Sequence, residues 1–308
     1  MKGDLDTIQI EVTTQCNLKC PGCLRTARAE RGLWADRHMS AANFARLLDH
    51  LPPVRVGILN GTGEPMLNPE IAEIVGLARA SGKFQGLTFN TNALARGVRA
   101  YQAVAKAGLS FLSVSVDSLD PQVARVVRTG TKTEKLVERL VQLAKTLPIP
   151  ITITTVVSRD NRHELAETLA KLDGLGRFTV FLTEQSDVEI LDGLPSKGRS
   201  LDARERAQLA VWIEKLRPQM PNLELILTQP VNTGGVRCPA PFRHPFVDVE
   251  GFLTPCCTLT DAHHYGRVSL LDLDLVAALA LPRVKAWCDA YAEREPAACA
   301  GCQHRQRD

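Results

Sequence analysis

From residue 8 to about residue 182, six short runs rich in Val, Ile, Thr or Phe alternate with stretches of helical periodicity. No other feature limits the fold as much. The runs are "IQIEVT" (8–13), "VGILN" (56–60), "GLTFN" (86–90), "FLSVSV" (111–116), "ITITTVV" (151–157) and "FTVFL" (178–182). Each is short and ends in turn-forming residues, which predicts strands. Amphipathic patterns between them predict helices over 40–51, 68–82, 133–147 and 161–172. Ser40 is placed as an N-cap, Pro69 in a first turn and Gly82 as a stop. Strand–helix repeats of this kind give parallel strands with right-handed crossovers. Six strands are too few for a closed eight-stranded barrel. The expected fold is therefore α/β, a partial (β/α)6 barrel of TIM type, with its chemistry at the C-terminal ends of the strands. The barrel is assigned to residues 1–200, and a connecting helix (201–216) and strand (223–228) to 201–230. A small Cys-rich domain follows over 231–308, where the texture changes to Pro, Gly, His and Cys.

Composition excludes several classes. Of 308 residues, 44% are hydrophobic and 23% charged, with a net charge of +3, too small to make nucleic acid the main partner. No uninterrupted apolar stretch approaches the length of a membrane span. The N-terminus, "MKGDLDTIQIEV", lacks the apolar centre of a signal peptide, so a cytoplasmic protein is expected. Disulfides are rare there, and nine cysteines point to metal instead. Cys16, Cys20 and Cys23 form one group, and Cys238, Cys256, Cys257, Cys288, Cys299 and Cys302 a second. None lies between Cys23 and Cys238, which suggests two separate metal sites.

The first group reads "CNLKCPGC", a C-x3-C-x2-C spacing directly after the first strand. Zinc sites bring four ligands, usually in C-x2-C pairs. Three thiolates can instead hold three irons of a [4Fe–4S] cubane and leave the fourth iron open. On this motif the chain resembles the radical S-adenosylmethionine (radical SAM) superfamily. The resemblance implies that the open iron chelates S-adenosylmethionine, which is cleaved to a 5′-deoxyadenosyl radical. "GTGEP" (61–65) resembles the family's GGEP segment, so Glu64 is expected to receive the methionine ammonium and Gly63 to allow close approach. By the same resemblance Asn92 in "NTNA", Ser115 and Asp117 in "SVSVDS", and Arg128 are expected to meet the cofactor's polar groups. Two positions depart from the pattern: Thr62 stands where glycine is frequent, and Gly22 where an aromatic is frequent. Adenine packing is then expected from Phe89 or Leu182.

In the second group "FVDVEGFLTPCC" (246–257) reads as a hairpin carrying a cysteine past a Gly turn, and Cys299 and Cys302 form a C-x2-C pair. This layout resembles the SPASM extension in its shortened twitch form. The resemblance implies one auxiliary [4Fe–4S] cluster on Cys238, Cys256, Cys299 and Cys302, and so two clusters in all. A structural zinc on the same thiols is the alternative. Adjacent strand residues face opposite ways, so Cys257 would point elsewhere, toward a substrate cavity, or the two could exchange roles. Cys288 lies in a helical pattern as a structural thiol.

The short chain with one auxiliary site resembles carbohydrate-modifying members: epimerases of neomycin and of oligosaccharide antibiotics, and the deoxy-scyllo-inosamine dehydrogenase. The first strand begins by residue 8, which leaves no room at the N-terminus for the leader-binding domain common in peptide-modifying members. The expected activity is epimerisation of an aminoglycoside or oligosaccharide carbon with Cys257 as hydrogen donor. A dehydrogenase and a ribosomal-peptide maturase are the alternatives. Glu184, Asp187 and Glu189, with Asp192, leave the sixth strand and could bind sugar hydroxyls or ammonium groups. "RTARAERGLWADR" (25–37) reads as an exposed basic loop. An electron donor such as flavodoxin or ferredoxin is the expected protein partner.

Overall fold

The computed structural model describes residues 5–185, 189–191, 194–195, 200–228, 240, 244–293 and 299. Strands β1 (Leu5–Ile10), β2 (Val54–Ile58), β3 (Phe84–Thr88), β4 (Asn90–Thr91), β5 (Leu112–Ser115), β6 (Ile151–Val157) and β7 (Phe178–Glu184) carry the barrel. The helices between them are α1 (Leu24–Ala29), α2 (Ala41–Asp49), α3 (Ile71–Ala80), α4 (Val98–Ala107), α5 (Pro121–Val127), α6 (Thr133–Thr146) and α7 (Leu165–Leu175). A β8–β9 pair (Glu189–Leu191, Leu194–Pro195), α8 (Ala203–Leu216) and β10 (Leu223–Leu227) follow. The hairpin β11 (Phe246–Val247) and β12 (Leu253–Thr254) and helices Leu275–Ala280 and Pro282–Glu293 complete the described chain.

Two five-stranded sheets, β12-β11-β1-β2-β3 and β10-β7-β6-β5-β4, meet where β3 runs into β4 across Phe89. The Phe89 carbonyl accepts from Ser113 N–H, which carries the arc across that junction. Every pairing in the arc is parallel except β11 with β12. The fold is thus an α/β partial barrel with a Cys-rich C-terminal segment. Two strands extend the arc beyond the six of the alternating repeat. β10 pairs with β7 on one edge, and β11 of the C-terminal segment pairs with β1 on the other.

Side-chain alternation separates the two faces of the arc. Ile8, Ile10, Val12, Leu87, Phe89, Val114 and Leu182 are fully buried in one apolar cluster with Phe44 and Leu47 of α2 and Leu140 of α6. The other face of the strands carries polar side chains among apolar ones. There Ser113 Oγ lies 2.8 Å from Thr154 Oγ1, and Thr179 Oγ1 donates to the Glu224 carboxylate at 2.8 Å. Thr228 Oγ1 donates to Thr183 Oγ1 at 3.1 Å. The buried hydroxyls of Thr88 and Thr152 on this face have no hydrogen-bond partner among the described residues. In closed barrels of this type branched apolar side chains fill the interior. Here the inner face mixes hydroxyls with Val56, Ile58, Val156, Phe181 and Ile226, which sit in register with them.

Ser40 caps α2 by accepting from Asn43 N–H, as its position before an apolar periodicity predicts. Helix α3 starts at Ile71, later than the Pro69 signal, because the Asn68 amide donates to the Val12 and Met39 carbonyls and holds the chain back. Helices α1, α4 and α5 escape the periodicity reading: α1 and α5 are short, and α4 is half polar.

Candidate active site

The segment that leaves β1 folds into a loop whose backbone is tied to the ends of its neighbours. Glu64 N–H donates to the Gln15 carbonyl at 2.7 Å, and Lys19 N–H to the Thr129 carbonyl at 3.0 Å. Arg25 Nε and Trp34 Nε1 both donate to the Thr14 carbonyl, at 2.9 and 3.2 Å. The Asn92 amide donates to Asn17 Oδ1 at 2.9 Å. Cys16, Cys20 and Cys23 are therefore carried by a loop fixed at several points. All three are half-buried. Burial pushes the Cys20 thiol up to about 11 against the pull of Arg128, and also raises the Cys16 thiol.

Gly63 lies directly under this loop. A β-carbon there would run into the Thr13 carbonyl and come within 2.7 Å of the Gln15 carbonyl oxygen, both immobile backbone atoms. This is the close approach that only glycine permits. Glu64 is buried, and its carboxylate accepts from Thr91 Oγ1 at 2.6 Å, Met66 N–H at 3.2 Å and Asn92 N–H at 2.7 Å. Burial raises its pKa despite these bonds. Asn92 spends both ends of its amide on scaffolding, since its oxygen accepts from Leu94 N–H. It holds Glu64 and the cysteine loop in register.

Asp117 follows β5 and accepts from Val156 N–H at 2.8 Å and from Arg128 at 3.1 Å. Burial opposes the charge on Arg128, yet Asp117 and the nearby Cys20 and Cys16 raise its pKa overall. The buried Arg128 Nε has no hydrogen-bond partner among the described residues. Ser115, at the end of β5, lies on the inner face two residues before Asp117. The structure thus brings Cys16, Cys20, Cys23, Gly63, Glu64, Asn92, Asp117 and Arg128 to one end of the barrel.

Phe89 and Leu182 correct an expectation. Both are fully buried on the outer, apolar face of the arc and cannot reach an adenine at the strand ends. Gly22 instead faces Gln185, whose Nε2 would lie 3.3 Å from a β-carbon at position 22. Gln185, just past β7, stands where the family's aromatic side chain would reach. Two more residues escaped sequence reading. Glu11 is buried at the end of β1, and Asp248 sits in the β11–β12 turn, where burial pushes its carboxyl up to about 6. The signal for Glu11 was available: within "IQIEVT" it has opposite parity to Ile8, Ile10 and Val12.

The second cysteine group is described in part. Cys256 and Cys257 lie in a bend beyond β12, so strand alternation does not govern them. Cys256 is half-buried and its sulfur accepts from Leu259 N–H at 3.3 Å, whereas Cys257 is exposed. Cys299 is half-buried, and Cys238 and Cys302 lie outside the described residues. Cys288, on helix Pro282–Glu293, contacts the Tyr265 hydroxyl at 3.8 Å. Among the described residues, no three His, Cys, Asp or Glu side chains are grouped to hold a single metal ion. Glu184 lies 3.7 Å from Arg206 Nε of α8. Asp187 and the Glu189 side chain fall outside the described residues.

The family model of the radical SAM superfamily matches residues 10–172, from the end of β1 through α7 and more than half of the chain. The chain belongs to the radical SAM superfamily. It is 27% identical over 156 residues to the GTP 3′,8-cyclase of Chlorobaculum tepidum, covering 50% of this chain and 46% of that protein. It is 24% identical over 223 residues to the PqqA peptide cyclase of Granulibacter bethesdensis, covering 70% of this chain and 56% of that protein. The chain thus spans about half the length of these curated relatives. Among solved structures, Streptococcus suis SuiB bound to S-adenosylmethionine matches with TM-score 0.71 and 15% identity, over 97% of this chain and 71% of SuiB. BtrN in complex with AdoMet and 2-DOIA matches with TM-score 0.53 and 13% identity, over 100% of this chain and 95% of BtrN. These structural likenesses establish a shared fold.

Membership in the radical SAM superfamily implies a [4Fe–4S] cluster and S-adenosylmethionine, and the residues fit both. Cys16, Cys20 and Cys23 would hold the cluster; a cubane spreads its thiolates over separate irons rather than gathering them on one ion. Metal binding would displace the protons that burial favours on these thiols. The buried carboxylate of Glu64 suits an ammonium, and the unpartnered Nε–H of Arg128 suits an anionic oxygen.

Proposed function

We propose that this radical SAM enzyme removes a hydrogen atom from a C–H bond of a carbohydrate-class small molecule, an aminoglycoside or oligosaccharide, and inverts that centre. The hydroxyls on the inner face of the arc carry the reading. Ser113, Thr154, Thr183 and Thr228 offer donors and acceptors that can exchange with a hydroxylated ring. BtrN, solved with AdoMet and 2-DOIA, shares the fold, so the fold accommodates a small molecule.

When bound, the cluster and S-adenosylmethionine would supply the one-electron chemistry that opens the C–H bond. The chain would do the rest. Glu64 would hold the ammonium of the cofactor's amino-acid portion and Arg128 its carboxylate, with Asp117 fixing Arg128 and Ser115 alongside. Cys257, exposed beyond β12, would donate the quenching hydrogen. The hydrogen atom leaves Sγ for the substrate carbon. The sulfur then regains one electron and one proton, the electron coming from a donor protein such as flavodoxin or ferredoxin. Cys238, Cys256, Cys299 and Cys302 would hold a second [4Fe–4S] cluster in a twitch-type domain. No helix among the described residues is long and apolar enough to cross a membrane, and we place the protein in the cytoplasm.

The test is turnover in deuterated water with aminocyclitol and oligosaccharide substrates. Deuterium should appear at the inverted carbon, and Cys257→Ala should abolish inversion while 5′-deoxyadenosine is still released. A ketone product would replace the epimerase with a dehydrogenase. The match to the PqqA peptide cyclase over 70% of this chain supports a second reading, a peptide-modifying enzyme. Turnover of a peptide in preference to every sugar would establish it.

A further inference from the structure

A cavity of about 430 Å³ lies between the strap after α1 and the β11–β12 turn. Its walls include Arg28, Trp34, Arg37, Thr62 and Glu250, and two acids, the buried Glu11 and the half-buried Asp248, also line it. β1 and β11 pair in parallel with Gln9 beside Phe246 and Ile10 beside Val247. Continuing that register by one residue puts Glu11 beside Asp248, on the polar face of the sheet. The cavity shares Thr62 with the GTGEP segment and Thr14 with the root of the cysteine loop. It therefore adjoins the cofactor site.

Charge is distributed unevenly in this cavity. Arg37 of the strap pairs with Glu250, so the charges of these two walls cancel each other. Glu11 is tied down by neutral donors: its Oε1 accepts from Thr62 N–H at 2.8 Å and from the Thr62 hydroxyl. The charged group that acts most on Glu11 is Asp248, which raises its pKa further beyond the effect of burial. Asp248 Oδ1 accepts from Glu250 N–H and Phe252 N–H, both at 2.9 Å. Arg28 also lines the cavity, so Glu11, Asp248 and Glu250 face Arg28 and Arg37, one carboxyl in excess, while Arg267 acts on Asp248 and lowers its pKa against the larger effect of burial. The indole of Trp34, held by its bond to the Thr14 carbonyl, adds an apolar wall of the kind on which the C–H face of a sugar ring packs.

We infer that this cavity is a subsite of the substrate pocket in which Glu11 and Asp248 bind an ammonium group, so the enzyme selects an amino sugar or aminocyclitol over a neutral sugar. The inference rests on the carbohydrate reading above and narrows it. It also moves the acidic contacts from the Glu184 region to the opposite edge of the arc. The basic segment 25–37 begins in α1 and is exposed over most of 29–37, as expected of a loop, while Trp34 and Arg37 also wall the pocket.

The test is calorimetric binding to the iron-loaded, S-adenosylmethionine-bound enzyme, with 2-deoxystreptamine and the neutral scyllo-inositol as probes. The diamine should bind at least about tenfold more tightly, the equivalent of one charge-assisted contact. Glu11→Gln and Asp248→Asn keep the acceptor oxygens that hold Thr62 and the turn, so both should fold and melt cooperatively. Each should erase most of the preference while leaving scyllo-inositol binding unchanged. An unchanged preference in both variants, or no binding of either cyclitol, overturns the proposal. Binding of scyllo-inositol without preference for the diamine overturns it too, but leaves the carbohydrate reading standing. Tighter binding of lysine amide than of either cyclitol, lost in Glu11→Gln, would keep the ammonium contact and remove the carbohydrate reading.

Discussion

The cysteine loop after β1 and the cysteine bend after β12 both leave strand ends of the same five-stranded sheet, yet they are held differently. The first is bonded to the segments after β2, β4 and α5, through Gln15, Asn17 and Lys19. The second hangs on a hairpin whose strands are two residues each, with β11 bonded to β1 through Gln9 and Glu11 N–H. One thiol set is therefore placed by the barrel itself, and the other by an attachment to its edge. Positioning before metal binding is what a reactive centre demands, because small misplacements of reacting groups cost large factors in rate.

The sharpest break of this comparison is Cys20→Ala against Cys256→Ala. Cys20→Ala should reduce 5′-deoxyadenosine release to background and remove about four irons per chain. Cys256→Ala should remove a similar number while release continues, measured by iron analysis and product chromatography. Equal loss of release in both variants would show that the two regions act as one centre. Next in size is Gly63→Ala. Its methyl would meet the Thr13 and Gln15 carbonyls, and it should cost about 1–3 kcal/mol in thermal unfolding together with loss of cofactor binding. Asn92→Ala tests the stitching alone. It should weaken iron retention about 10–100-fold against a chelator while the fold persists. An unchanged value would mean that the Asn92–Asn17 bond is dispensable.

The smallest effect probes the hairpin. Asp248 has its pKa raised from 3.8 to about 6 by burial. Between those values the folded chain keeps a proton that the unfolded chain has lost, so wild type loses stability as pH rises through this window. Asp248→Asn has no such proton to lose. Its melting temperature should gain on wild type as pH rises from below 3.8 to above about 6. A constant difference would mean that the turn is more hydrated than its burial indicates.

Much of the barrel is legible in the sequence because its signals are local. "ITITTVV" gives β6 to the residue, and Ser40 announces α2. The cysteine spacing and the GTGEP segment mark the cofactor end because they too are contiguous. What stays hidden depends on pairing across long separations. Nothing near Phe246 indicates that it will lie beside Gln9, and so nothing indicates that Asp248 will lie next to Glu11. The adenine expectation failed for a different reason. Phe89 and Leu182 are apolar and close to strand ends, but the parity of their own strands turns them outward. Parity counted from Ile10 and Val12 along β1 singles out Glu11 in the same way.

The pairing of β11 with β1 also has a practical side. Strand β1 would become a bare border if the chain were cut ahead of the hairpin, with the backbone groups of Gln9 and Glu11 that now bond to Pro245 and Val247 left open to any passing strand. A truncated barrel expressed alone should therefore be sticky, and it should recover its good behaviour when a peptide spanning 244–256 is supplied in trans.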